Sequence, residues 1–283
     1  MATTTMIADM TRQIVGDRLA VESLLPVGSD PHVYESTPED VKRVAAADLI
    51  LMNGLTLEGW IKELVDNSGT RSKIATVTEG VEAIGSDEHA GSFDPHAWMS
   101  AANGLIYIDN ILKAVTALDP SGKDFYEKNY TRYKKELEET DLFIKEKIAQ
   151  IPENQRILIT SHDAFHYFGN QYGLRLEAVM GTSTDADVRT SDIIRLIKII
   201  KETGVPAIFV ESTINPKLLK QIAKDNDIKI GGSLFADSLS GEADSANTYI
   251  SMLRRDAELI SYGLSQTKAV FSRQNAQNTE GIP

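Results

Sequence analysis

Residues 124–150 read DFYEKNYTRYKKELEETDLFIKEKIAQ, and this stretch decides how the chain is organised. Apolar or aromatic side chains recur in it three, four or seven positions apart, the spacing of one helical face, and lysine and glutamate surround them. These side chains are Tyr126, Tyr130, Tyr133, Leu137, Ile144 and Ile148. Such a helix would be about 40 Å long, longer than is usual in globular proteins. Its position near mid-chain favours a connection between two lobes over a surface helix of one domain.

The ends of this helix and its flanks complete the predicted fold. Ser121 and Asp124 resemble a capping box, and Pro152 ends the run. Strand patterns occur at residues 19–25, 48–52, 73–77, 156–160, 174–179, 207–210 and 228–234. Helix patterns occur at residues 6–15, 38–46, 101–118, 164–172, 191–203, 216–225 and 246–264. Short strands separated by helices pair in parallel. We therefore predict an α/β protein with two lobes, each a mainly parallel β-sheet flanked by helices, joined by one long rigid helix.

The predicted domains are an N-terminal lobe at 1–118, the interlobe helix at 119–151, a C-terminal lobe at 152–266 and a polar tail at 267–283. The charge of −12 argues against nucleic acid or an anionic membrane as a partner. The chain has no cysteine, which excludes disulfides, thiolate metal sites and cysteine nucleophiles. Its first residues lack the pattern of a signal peptide. A chain trimmed of an export signal would look the same, so this end does not indicate the localisation. We expect a monomer.

Three of the five histidines and one aspartate stand where a ligand site would be built. His32 and His96 each end an Asp-Pro-His tripeptide, in which proline fixes φ and presents the imidazole from a stiff turn. His162 and Asp237 follow predicted strands, and ligands of open α/β sheets bind beyond the carboxyl ends of strands. Taken singly, each of these histidines could equally serve a structural hydrogen bond.

Taken together, these four residues offer three imidazoles and one carboxylate, two from each predicted lobe. Such a donor set suits Zn²⁺, whereas Mn²⁺ tolerates it but prefers more oxygen. The division between the lobes indicates a cleft. Four protein ligands would leave little room for the activated water of a catalytic metal. The pattern therefore favours a site that binds a metal over one that uses it in catalysis.

Several further residues are candidates for supporting roles. Glu211 ends a predicted strand, and Asp94 and Trp98 flank His96, so we expect these three side chains to support the ligands. His89 lies in an acidic loop, where it would either recruit metal or be plain solvated surface. His166 follows His162 by four positions, but the glutamate of a metalloprotease helix is missing beside His162.

Six short motifs carry a family resemblance across about 250 residues. They are GSDPHVYE (28–35), AADLILMNGL (46–55), DPHAW (94–98), TSHDAF (160–165) with Tyr167 and Phe168, FVES (209–212) and LFADS (234–238). In this order they resemble the TroA-like family, the metal-binding solute-binding proteins of bacterial ABC importers for zinc and manganese. The resemblance implies two α/β lobes with the metal between them, bound by His32, His96, His162 and Asp237. Many zinc-specific members carry a long His-rich loop before the second ligand, of which only residues 87–89 remain here.

The resemblance also implies a function. The protein is expected to capture Zn²⁺ or Mn²⁺ outside the cytoplasm, in the periplasm or on a lipid anchor carried by the full-length form, and to deliver it to the permease of an ABC transporter. It is not expected to be an enzyme. A metal-dependent hydrolase is the alternative, with Glu211 or Asp163 as general base. A cell-adhesion module with an incidental metal is a third reading.

Overall fold

The computed structural model describes residues 1–86, 91–185 and 187–266. Helices in that part of the chain are α1 (Thr5–Val15), α2 (Pro38–Ala46), α3 (Ile61–Ser68), α4 (Ala101–Leu118), α5 (Lys123–Ala149), α6 (His166–Tyr172), α7 (Thr190–Thr203), α8 (Lys217–Asp225) and α9 (Tyr249–Leu264). Strands are β1 (Leu49–Met52), β2 (Lys73–Thr76), β3 (Ile157–Thr160), β4 (Arg175–Ala178), β5 (Ala207–Glu211) and β6 (Lys229–Leu234). The predicted polar tail lies outside the described residues.

The six strands form three parallel pairs, each a βαβ unit. Strand β1 pairs with β2 across α3, β3 with β4 across α6, and β5 with β6 across α8. Strands β3 and β5 contact each other, and the backbone N–H of His162, just after β3, donates to the side chain of Glu211, the last residue of β5. The carboxyl ends of both strands therefore lie in the same region. The α/β class with parallel strands is confirmed.

Helix α5 has 27 residues, and its predicted apolar face is buried at Tyr126, Tyr133, Leu137, Ile144 and Ile148. These side chains join a hydrophobic cluster that also contains residues of α1 and α4, which precede the helix, and of α9, which follows it. The helix therefore packs against both halves of the chain. The domain boundaries drawn around it stay predictions. Among the described helices, none combines the length and hydropathy that crossing a membrane would need.

Two local predictions are wrong. The capping box is not formed, because a 3₁₀ turn at Pro120–Gly122 leads directly into α5 and Ser121 instead donates a hydrogen bond to Asp119. Residues 19–25 do not form a strand and make only one bridge, between Ser23 and Ala2. They lie beside Ala2, whose N–H donates to the Glu22 carbonyl and whose carbonyl accepts from the Leu24 N–H.

Two helices also differ from the sequence pattern. Helix α3 is absent from the predicted helices, because the six turn residues that precede it, 55–60, obscure where it begins. Helix α6 begins at His166, so His162 lies before it in a bend rather than on the same helix. The two histidines therefore do not form the helical chelating pair that their spacing of four suggests.

Candidate metal centre

Four side chains that are far apart in sequence converge at one point: His32, His96, His162 and Asp237. One ligand atom from each lies within 4.8 Å of all the others. Nε2 of His96 lies 3.1 Å from Nε2 of His32 and 3.2 Å from Nε2 of His162. Oδ1 of Asp237 lies 3.5 Å from Nε2 of His96. Neighbouring ligand atoms in a tetrahedral zinc site are about 3.3 Å apart, close to these three distances to His96. The distance from Nε2 of His32 to Oδ1 of Asp237 is longer, at 4.0 Å.

The N-terminal half contributes two of these side chains through the same local structure. In each Asp-Pro-His tripeptide, Oδ1 of the aspartate accepts a hydrogen bond from the histidine backbone N–H. The distance is 2.9 Å from His32 to Asp30 and 2.9 Å from His96 to Asp94. Proline between the two residues fixes the backbone. The repeated tripeptide is therefore a repeated turn that presents an imidazole.

The C-terminal half contributes the other two at the ends of strands. His162 comes two residues after β3, and Asp237 comes three residues after β6. Glu211, the last residue of β5, accepts a hydrogen bond from the backbone N–H of His162 at 2.8 Å. The parallel strands thus bring these side chains to one edge, where ligands of α/β proteins bind.

Two carboxylates fix the orientation of two imidazoles. Oδ1 of Asp94 lies 2.7 Å from Nδ1 of His96, and Oε2 of Glu211 lies 2.5 Å from Nδ1 of His162. A carboxylate at Nδ1 keeps the proton on that nitrogen and leaves Nε2 free to bind a metal. Glu211 and Asp94 thus lie directly behind two of the four converging side chains.

The centre is enclosed. His96 and His162 are fully buried, and Asp237 is 2% exposed. Oδ1 of Asp237 is buried without any hydrogen-bond partner, although Thr213 donates to its Oδ2. Buried carboxylate oxygens are normally paired. The open oxygen therefore fits a cation that binds between this carboxylate and the imidazoles.

Burial and charge act in opposite directions on two of the imidazoles. Burial lowers the pKa of His32 to about 3. Burial also disfavours a charge on His96, but the carboxylates of Asp94 and Asp237 outweigh it and raise the pKa of His96 to about 10. At neutral pH and without metal, the imidazole of His32 is therefore neutral, and that of His96 is protonated on both nitrogens and positively charged.

In His162 and Asp237, as in His96, the neighbouring charges outweigh the effect of burial on the pKa. Burial opposes a charge on His162, yet the carboxylates of Glu211 and Asp237 raise its pKa. Burial alone would raise the pKa of Asp237, but the surrounding imidazoles hold it well below its ordinary value. Asp237 is thus ionised, and a metal that bound beside it would have to displace protons from the imidazoles.

The other sequence candidates lie around the centre or outside it. The Trp98 ring packs 5.2 Å from the His96 ring, and its Nε1 donates to the backbone of Ala236, next to Asp237. Nε2 of His166 faces Asp163 at 3.3 Å and does not join the cluster. His89 lies outside the described residues.

Sequence reasoning missed contacts that depend on both halves of the chain. The Tyr167 hydroxyl accepts from the backbone N–H of Ile84 and donates to the carbonyl of Asp94 at 3.0 Å. Thr184 donates to Asp30 at 2.6 Å. A tyrosine or a threonine in the sequence gives no signal for such a contact, because its partner is fixed only by the tertiary fold.

Comparison with known proteins decides the family. The family model for the periplasmic zinc-uptake complex component A, ZnuA, matches residues 1–263. The chain belongs to this family. The resemblance inferred from the six motifs is therefore confirmed, and the converging histidines and aspartate lie within the matched region.

Individual members of the family agree with this assignment over almost the whole chain. The metal ABC transporter substrate-binding lipoprotein FimA of Streptococcus parasanguinis is 38% identical over 272 residues, which is 93% of this chain and 88% of FimA. The manganese ABC transporter substrate-binding lipoprotein PsaA of Streptococcus pneumoniae is 37% identical over 272 residues, again 93% of this chain and 88% of PsaA.

Solved structures show the same fold. The periplasmic zinc-binding protein TroA of Treponema pallidum superposes with a TM-score of 0.89 at 29% identity, covering 94% of this chain and 98% of TroA. The Mn-bound periplasmic metal-binding protein of Candidatus Liberibacter asiaticus superposes with a TM-score of 0.85 at 34% identity, covering 93% and 98% of the two chains. The TroA-like fold is thus common to this chain and to proteins named for binding zinc or manganese.

Proposed function

We propose that this protein captures a divalent transition metal, Zn²⁺ or Mn²⁺, and delivers it to the permease of an ABC transporter. His32, His96, His162 and Asp237 bind the ion in the cleft between the two lobes. The observation that carries the proposal is the convergence of three Nε2 atoms and one buried carboxylate oxygen that accepts no hydrogen bond. Family membership supplies the transport role, since the relatives are named as substrate-binding lipoproteins of metal ABC transporters.

The donor set determines the metals that this site would take. Three nitrogens and one oxygen suit Zn²⁺, and intrinsic affinity for such donors is higher for Zn²⁺ than for Mn²⁺. The same ligands still bind Mn²⁺ where it is the more available ion. We therefore assign both ions as cargo and expect zinc to bind more tightly in vitro.

The geometry supports a carrier better than the hydrolase alternative. A hydrolase needs a free coordination position for water and a general base beside it. Both oxygens of Glu211 face His162, and Asp163 faces His166. Each candidate base is thus occupied with a neighbouring imidazole, and four protein ligands already complete a tetrahedral shell.

We place this activity outside the cytoplasm, with a lipid anchor on the full-length form. The support is the description of the relatives as lipoproteins and of the family as periplasmic. There the protein would bind metal directly from the surrounding medium. A closed site of protonatable imidazoles then protects the ion until the permease is reached.

Titration of the metal-stripped protein tests the proposal. We expect one Zn²⁺ or one Mn²⁺ per chain, and we expect Zn²⁺ to displace bound Mn²⁺. Isothermal titration calorimetry gives the stoichiometry, and elemental analysis after gel filtration checks it. Binding of neither ion at one equivalent would overturn the proposal, as would hydrolysis of a phosphoester that requires the bound metal.

A further inference from the structure

Three of the four proposed ligands lie on backbone enclosed by the hydrophobic core. Trp98 and Ala236, beside His96 and Asp237, belong to the main hydrophobic cluster, and the two are joined by the hydrogen bond from Trp98 Nε1 to the Ala236 carbonyl. His162 directly follows the buried end of β3. Moving any of these three ligands would therefore disturb buried packing, which is costly.

His32 lies on a different kind of backbone. Residues 26–36, which we call the His32 loop, contain no helix or strand. Val27 is 54% exposed and Val33 is 48% exposed, whereas the His32 side chain turns inward and is only 5% exposed. Within its own half, the His32 loop is held by Trp60, whose Nε1 donates to the Pro31 carbonyl at 2.9 Å. Most of the loop therefore faces solvent, and its one ligand faces the metal centre.

Two hydrogen bonds connect the His32 loop to the C-terminal half. Thr184 Oγ1 donates to Asp30 Oδ2 at 2.6 Å, and the Gly28 N–H donates to Ser238 Oγ at 2.8 Å. The other oxygen of Asp30 accepts the backbone N–H of His32. Asp30 thus links Thr184 directly to the residue that carries the ligand. Both connections are only partly buried, so water can replace them at modest cost.

We infer that the His32 loop is the part of the centre that opens for metal entry and release, and that Thr184 is a positioning residue that keeps it closed through Asp30. This inference rests on the proposed function. Opening on this side breaks one coordination bond and three partly buried hydrogen bonds, the two to the C-terminal half and the one from Trp60 to Pro31. Opening on any other side would separate core residues. The loop is therefore the route of lowest cost.

The test compares two threonine variants of the Zn²⁺-loaded protein. Thr184→Val keeps the shape of the side chain but removes the donor to Asp30, a charged acceptor whose hydrogen bond is stronger than a neutral one. We expect Zn²⁺ to dissociate about tenfold faster, measured by stopped flow with an excess of a chromogenic chelator. Thr184→Ser keeps the hydroxyl and should restore the wild-type rate.

Thr182→Val is the matched control. Thr182 lies two residues away, and its hydroxyl is hydrogen-bonded at 2.7 Å to Ser86, which lies in the other half but outside the His32 loop. It should release Zn²⁺ within about twofold of the wild-type rate. Equal rates for Thr184→Val and Thr182→Val would overturn the inference. Failure of the wild-type protein to bind one Zn²⁺ would instead refute the proposed function, so the two failures are distinguishable.

Hydrogen exchange gives a second readout that needs no substitution. On removal of Zn²⁺ from the wild-type protein, amides of residues 27–36 should exchange much faster, whereas those of residues 94–98 should change little. In the zinc-loaded Thr184→Val protein, residues 27–36 alone should show faster exchange. Equal increases in both segments would mean that the whole centre opens, contrary to the inference.

Discussion

Asp237→Asn is expected to weaken Zn²⁺ binding by about two orders of magnitude. The substitution keeps the size of the side chain but removes the only carboxylate among the four proposed ligands. Structural zinc sites bind with about 10–16 kcal/mol over four ligands, so one ligand accounts for about 3 kcal/mol, or a factor of about 100. Competition with a chelator of known affinity measures the change.

Asp163→Asn is the control for this substitution. It makes the same chemical change next to His162, but Asp163 faces His166 and lies outside the four converging side chains. We expect its Zn²⁺ affinity to stay within about threefold of wild type. If the two variants lost affinity equally, the negative charge of the region, and not coordination by Asp237, would explain the loss. Thermal unfolding of both metal-free variants verifies that each is folded.

Zn²⁺ binding at pH 7.5 is expected to release at least one proton from the protein. Without metal, the pKa of His96 is raised to about 10 and that of His162 is also raised, so His96 carries a proton at this pH. His32, with its pKa lowered to about 3, contributes none. Because the metal binds only neutral imidazoles, each displaced proton lowers the affinity about tenfold per pH unit as pH falls. From pH 7.5 to 5.5 the affinity should therefore fall about 100-fold or more.

Calorimetry in two buffers of different ionisation enthalpy counts the released protons directly. Asp237 does not add to the effect in this range, because its pKa is held well below its ordinary value. An affinity unchanged between pH 7.5 and pH 5.5 would contradict coordination by the imidazoles. If a protein with His96 substituted released the same number of protons at pH 7.5, the released proton would come from a group other than His96.

The four converging side chains could be picked out from the sequence because each follows a rule that acts locally. The Asp-Pro-His turns depend on residues two positions apart, and His162 and Asp237 depend on where strands end. Parallel pairing then brings strand ends to one edge without any further information. The long helix can also be predicted locally, because the spacing of its apolar residues is enough to identify the face that is buried.

The parts that the sequence does not predict depend on neighbours distant along the chain. Residues 19–25 have the composition of a strand, but within the described residues a single bridge, between Ser23 and Ala2, pairs them with another segment. Ser121 has the composition of a cap, but Asp119 accepts its hydrogen bond. The contact between Thr184 and Asp30 spans 154 positions, and neither residue belongs to a pattern that indicates the other.

Anomalous diffraction from crystals of the Zn²⁺-loaded protein tests the central claim most directly. The account predicts one strong zinc peak about 2.0–2.2 Å from Nε2 of His32, His96 and His162 and from one carboxylate oxygen of Asp237. A stoichiometric zinc peak elsewhere on the protein, with these four side chains not coordinated, would contradict it.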